Sequence, residues 1–247
     1  MFGGAAEMTE DFFETCRYNL SIPIEEQAPK FVIVGNDLVK SAVNTLDYSN
    51  DLESVKQFIF ADHALRAAMV NGLIGLAHAP QAIFRQAAEF SAHAYLLKFD
   101  PNFRGAFLDL IRSSKVRDIQ RKWKSSYRHC LKIHDPTLYE IFEKNYEDWI
   151  FFGAHPSAPA SESVINYISD EESDDGQINF GLIGNNFQRF LFYVGYGNCV
   201  SILMMTYKLI WKERYQLYRF EEKDREFSVL FREFVKTSNV PLKSTGN

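Results

Sequence analysis

Cysteine is scarce in this chain: Cys16, Cys130 and Cys199 are the only three in 247 residues, and no two form a CxxC pair. That excludes a disulfide framework and a thiolate zinc site, and it points to a reducing cytoplasm. Glycine and proline are also few, at 13 and 8, which excludes a collagen-like or linker-dominated chain. The net charge is a mild −5, enough for solubility but no overall attraction to nucleic acid or an anionic membrane. The opening residues lack a basic n-region, and Glu10, Asp11 and Glu14 stand where an apolar h-region would be, so no secretory leader is expected. The longest apolar stretch, Phe190 to Trp211, is interrupted by Gly195, Tyr196, Gly197, Asn198 and Thr206. It reads as a buried helix rather than a membrane span. There is no GxSxG, Walker loop, HExxH or CxxC, so hydrolase-elbow, NTPase and zinc-protease chemistry lack their defining residues.

What is present is core-forming material. Hydrophobic residues make up 46% of the chain, with 22 Phe and 12 Tyr. There is no internal repeat and no long linker, so one domain is expected over 22–238, between a flexible N-terminal segment 1–21 and a flexible tail 239–247. The period is mostly helical, predicting a mainly α bundle of about seven or eight helices with one β-hairpin. Helices are expected over Pro29 to Leu46, Asp51 to His78 and Pro80 to Phe99. Asp100-Pro101 and Asp135-Pro136 each pair a capping aspartate with a proline at the first helical position, marking two further starts. Those helices run to Ser113 and to about Gly153, with a basic helix over Ser114 to His134 between them. Ser163 to Ser169 and Gln177 to Ile183 flank an acidic, Gly-ended turn and read as a hairpin near residues 163–183. A long helix through Arg219 and a last one over Lys223 to Thr237 close the chain.

Between Arg112 and Lys132 stand eight basic residues against one acid, Asp118. Arg117, Arg121, Lys124, Arg128 and Lys132 recur on one helical face, with Val116, Ile119, Trp123, Tyr127, Cys130 and His134 on much of the other. Such a stripe fits RNA or an acidic protein partner as readily as a solvated face, because each lysine or arginine near a phosphate releases counterions. It ends in Arg128-His129-Cys130-Leu131-Lys132-Ile133-His134, an arginine, a polar residue, four more and a histidine. This string resembles the RX4–6H signature of HEPN-type helical domains, many of which are metal-independent ribonucleases. The resemblance implies that His134 would move a proton at the ribose 2′-hydroxyl or leaving oxygen, and that Arg128 would stabilise phosphoryl charge. On a regular helix the two lie about 120° apart, so they converge only across a homodimer, a cleft or a helix distortion.

A second constellation is Arg85, Glu89 and His93, at i, i+4 and i+8 on one helix face. Asp62, His63 and Arg66 are a similar set on the preceding helix, and two such patches could face one another inside the bundle. The spacing is Glu-x-x-x-His without a second copy, so no metal is expected, and no cofactor motif is present. In Gly153-Ala154-His155-Pro156 a histidine stands at a helix end, a third candidate for catalysis. The layout as a whole is similar to uncharacterised bacterial helical-bundle proteins. The acidic run Asp170 to Asp175 fails the calcium-loop spacing, with Leu182 where a bidentate glutamate is required. The sequence therefore favours a non-catalytic binding or regulatory protein of a bacterial defence or stress system. A HEPN-like metal-independent ribonuclease and a small-molecule cleft lined by Arg85, Glu89 and His155 are the two alternatives.

Overall fold

The computed structural model describes residues 14, 16–48, 51–76, 79–112, 127–151, 165–168, 177–180 and 186–238. Its body is all-α. After helical turns at 16–21 and Ile24–Gln27, the longer helices in chain order are α1 (Lys30–Asn44), α2 (Leu52–Leu73), α3 (Ala79–Phe99), α4 (Pro101–Arg112), α5 (127–134) and α6 (Pro136–Trp149). After them come α7 (Asn186–Ile210), the short α8 (Lys212–Leu217) and α9 (Phe220–Thr237). The segment expected as a hairpin carries β1 (Ile165–Ile168) and β2 (Gln177–Phe180), antiparallel with Ile165 opposite Phe180 and Ile168 opposite Gln177. Residues 113–126, where the sequence predicts the first part of the basic helix with Arg117, Arg121 and Lys124, lie outside the described residues, as does His155.

The interrupted apolar stretch turns out to be the axis of the bundle. α7 packs against α1, α2, α3 and α6, and α9 closes over α1 and α7. Within it, Arg189–Ile210 is long and apolar enough to cross a membrane by length and composition, but 67% of its apolar window is buried inside the protein, as a core helix requires. The residues that dilute its hydrophobicity have packing roles. A Cβ on Gly197 would run into the Phe231 ring, so glycine lets α9 approach this closely. Thr206 is fully buried and its hydroxyl accepts from Ser91 of α3 at 2.8 Å. The Tyr196 hydroxyl donates to the Val32 carbonyl of α1, and Tyr207 shares a 2.6 Å hydrogen bond with Thr45. Aromatic chains thus fill the core while their polar tips satisfy buried backbone and hydroxyl groups.

Three boundaries differ from expectation. α2 stops at Leu73 rather than His78, because Gly75 adopts a left-handed φ of 97° and terminates it. The long last-but-one helix breaks at Trp211, and Arg219, at φ 52°, turns the chain into α9, which begins at Phe220 rather than Lys223. At this break the half-buried Trp211 indole packs against Phe58 and Tyr207. Residues 16–21, expected in the flexible N-terminal segment, are helical. Asn19 donates to the Ile74 carbonyl at 3.3 Å, and Gln27 donates to the Asn19 and Ile22 carbonyls, so backbone groups that a loose arm would leave to water are paired.

Aspartates mark the helix starts, with different duties. Asp100 Oδ1 accepts from the Asn102 and Phe103 amides and caps α4, and Asp135 Oδ1 accepts from Leu138 and caps α6. Asp51 precedes α2 but makes no capping bond. It is buried and faces Lys98 at 3.5 Å and Arg104 at 3.4 Å, tying the start of α2 to the end of α3 and to α4.

Candidate functional site

α3 is apolar on most of its circumference, burying Phe84, Ala87, Ala88, Ser91, Ala92 and Ala94. Its remaining strip carries Arg85, Glu89 and His93. The Asp135-Pro136 corner turns α5 into α6, which sets Arg128 beside the α6 face formed by Glu143, Tyr146 and Glu147. The two constellations separated in the sequence therefore meet around one residue that the sequence reading did not select, Tyr146.

Tyr146 donates its hydroxyl to Glu89 Oε1 at 3.0 Å. The Arg85 guanidinium lies 5.3 Å from its ring centroid and the Arg128 guanidinium 4.9 Å, both within cation–π range. Arg85 Nε also pairs with Glu89 Oε1 at 3.4 Å. Arg128 donates from Nε to Glu143 Oε2 at 3.0 Å, forms a second ion pair with Glu143 through Nη2, and reaches Glu147 Oε1 at 3.4 Å. Behind this cluster the Tyr127 ring stands edge-on to Phe142 and to His93, with centroids 6.1 Å and 5.0 Å apart.

Electrostatically the cluster holds two guanidinium groups against three carboxylates, Glu89, Glu143 and Glu147. It is self-neutralising with a slight acidic excess, so it has little to offer a phosphate. Burial, followed by the negative charge of Glu89, raises the Tyr146 phenol, and the same causes raise Tyr127 well above the ordinary tyrosine range. Burial pushes His93 down to about 4, so at neutral pH its ring is an uncharged aromatic wedge between Tyr127 and Phe103.

His134 lies at the other end of α5. Its Nε2 is 3.2 Å from Asp100 Oδ2, the same carboxylate that caps α4. Burial favours the neutral acid at Asp100, but the Phe103 and Asn102 amides, then the nearby His134 ring, outweigh it and hold Asp100 below its ordinary value. Arg128 and His134 are thus held by separate acids, at positions about 9 Å apart along the helix axis by its rise per residue.

The expectation of two facing polar patches is corrected. Asp62 and Arg66 pair with each other at 2.9 Å, and Arg66 turns to Asn36 of α1 rather than toward Arg85 and Glu89; His63 is exposed. A buried carboxylate needs its nearest cation, and an i, i+4 arginine supplies it without help from α3. Among the described residues no three His, Cys, Asp or Glu side chains come together in a way that could hold a metal. No protein-family model, curated protein or solved structure matches this chain.

Proposed function

We propose that this chain is a non-catalytic helical binding protein that takes a polyanionic partner along the basic segment 112–132, in a bacterial defence or regulatory setting. The observation that carries the reading is the division of Arg128 and His134 between separate carboxylate partners. A proton-moving histidine and a charge-stabilising arginine acting on one phosphodiester must both reach the same phosphoryl group. Arg128 is instead occupied by Glu143, Glu147 and the Tyr146 ring, and His134 by Asp100.

The same geometry gives Arg128 a positioning duty. It anchors the C-terminal end of the basic segment to α6, leaving Arg112, Lys115, Arg117, Arg121, Lys122 and Lys124 as cationic capacity preceding the anchor. Eight basic residues against one acid in 21 residues contrast with an otherwise acidic chain, and a run of that density binds a phosphate backbone by counterion release without reading sequence.

The test is one tube with two readouts: a labelled single-stranded RNA pool, purified protein and excess EDTA, followed for binding by anisotropy and for cleavage on a gel. Salt-sensitive binding without cleavage is expected. Cleavage that disappears in His134→Ala would replace this reading with the ribonuclease one, and absence of binding at low salt would reduce the stripe to a solvated face.

A further inference from the structure

The C-terminal half of α7 leaves one strip uncovered. There Ile141 of α6, Ser201, Met205 and Leu209 of α7, Lys208 and Lys212 line an open cleft of about 650 Å³, within the usual range of small-molecule sites. Its floor is apolar: Met205 and Leu209 are half-buried side chains packed against the core. Its polar groups are unevenly placed along its length. Ser201, at one end, spends its hydroxyl on the Gly197 carbonyl at 2.9 Å and presents little polarity. At the other end stand Lys208 and Lys212, both exposed and without an ion pair among the described residues. Asp224, the acid on that rim, accepts from the Tyr215 hydroxyl at 2.7 Å, and Lys208 lies over the Tyr215 ring at 5.3 Å. The cleft is therefore an apolar trough with a cationic end.

We propose that this trough binds a free straight-chain fatty acid, its carboxylate between Lys208 and Lys212 and its hydrocarbon tail along Leu209 and Met205 toward Ser201 and Ile141. Charge complementarity selects the head group, because two cations face one engaged acid. A neutral lipid would gain no ion pair from them, and a nucleic acid would leave the apolar floor unused. Length selects the tail. Ser201 to Leu209 covers about 12 Å of the α7 axis, the reach of about ten extended carbons at ordinary carbon–carbon bond lengths, and the head-group end continues past the bend at Trp211 to Lys212, for a chain of about twelve carbons in all.

The experiment is isothermal titration of the full chain with dodecanoate, decanoate, octanoate and dodecanol, repeated on Lys208→Glu/Lys212→Glu and on Met205→Trp, with circular dichroism to show that each variant is folded. The proposal expects one saturable dodecanoate site. Affinity should fall about tenfold for each two carbons removed, at the usual gain per buried methylene. It also expects at least tenfold weaker binding of dodecanol, the same loss in the double charge reversal, and loss of the site in Met205→Trp, which fills the floor. Absence of saturable binding overturns it, as do equal affinities for dodecanol and dodecanoate. A concentration-dependent dimer that takes up no dodecanoate would assign the trough to a second copy and overturn it as well.

Discussion

His93 offers a quantitative handle on the cluster at the heart of the bundle. Packed against Tyr127 and Phe103, its ring has its pKa pushed down to about 4 from the ordinary 6.5. The folded protein takes up that proton only near pH 4, while the unfolded chain takes it up near 6.5. Between those values the unfolded state binds more protons, so stability rises with pH and is lost as pH falls. At 1.36 kcal/mol per unit, His93 alone removes about 2 kcal/mol between pH 7 and pH 5. For a chain of this size that is a fall in Tm of about 4 to 8 °C. Urea unfolding of wild type and His93→Phe at pH 7, 6 and 5 isolates it, because phenylalanine keeps an aromatic wedge and every other residue is common to both proteins. The stability difference between the two proteins should shift by about 2 kcal/mol in favour of the variant at pH 5. Parallel pH profiles would refute the enclosure of that ring and the packing built around it.

Other substitutions probe the remaining contacts. Tyr146→Phe deletes the hydroxyl that Glu89 accepts from and should cost about 1 to 2 kcal/mol in urea unfolding, while RNA binding is unchanged. Arg128→Ala removes the cation shared by Glu143, Glu147 and the Tyr146 ring. With that side chain one-third exposed, about 1 to 2 kcal/mol of stability should be lost, whereas Arg117→Ala should leave stability within about 0.5 kcal/mol. Gly197→Ala drives a methyl group into Phe231, a ring already stacked on Phe227 and packed on Phe31; calorimetry should show about 1 to 3 kcal/mol of overpacking. Asp100→Ala uncaps α4 and releases His134, and should cost about 1 to 2 kcal/mol.

The helical frame was legible because its signals are local. Asp100-Pro101 and Asp135-Pro136 state a cap and a first turn within a few residues, and the structure starts α4 and α6 where they stand. Gly195, Gly197 and Thr206 were legible as interruptions of an apolar run but not as packing devices, since the rings and hydroxyls they meet lie on α3 and α9. The break at Trp211 was hidden for the same reason: nothing in Leu209-Ile210-Trp211-Lys212 disfavours a helix, and the Phe58 ring its indole meets lies on α2. In the site, the i, i+4 step picked out Arg85 and Glu89, and the basic run picked out Arg128. Tyr146, Glu143 and Glu147 sit in an ordinary amphipathic helix, and only the corner at Asp135 brings them to Arg128. A Glu-x-x-Tyr-Glu face directly after a basic helix is the one cue that could have suggested the pairing.

The measurement that bears most directly on the account is the salt dependence of single-stranded RNA binding, wild type against Arg117→Glu/Arg121→Glu/Lys124→Glu, with intact RNA verified after each titration. Each phosphate neutralised contributes about −0.7 to the slope of log K against log salt. The triple reversal should therefore flatten the slope by about 2 units and weaken binding by orders of magnitude at low salt, with no RNA cut by either protein. Equal slopes for the two proteins, or RNA cleaved by the wild type and spared by His134→Ala, would contradict it.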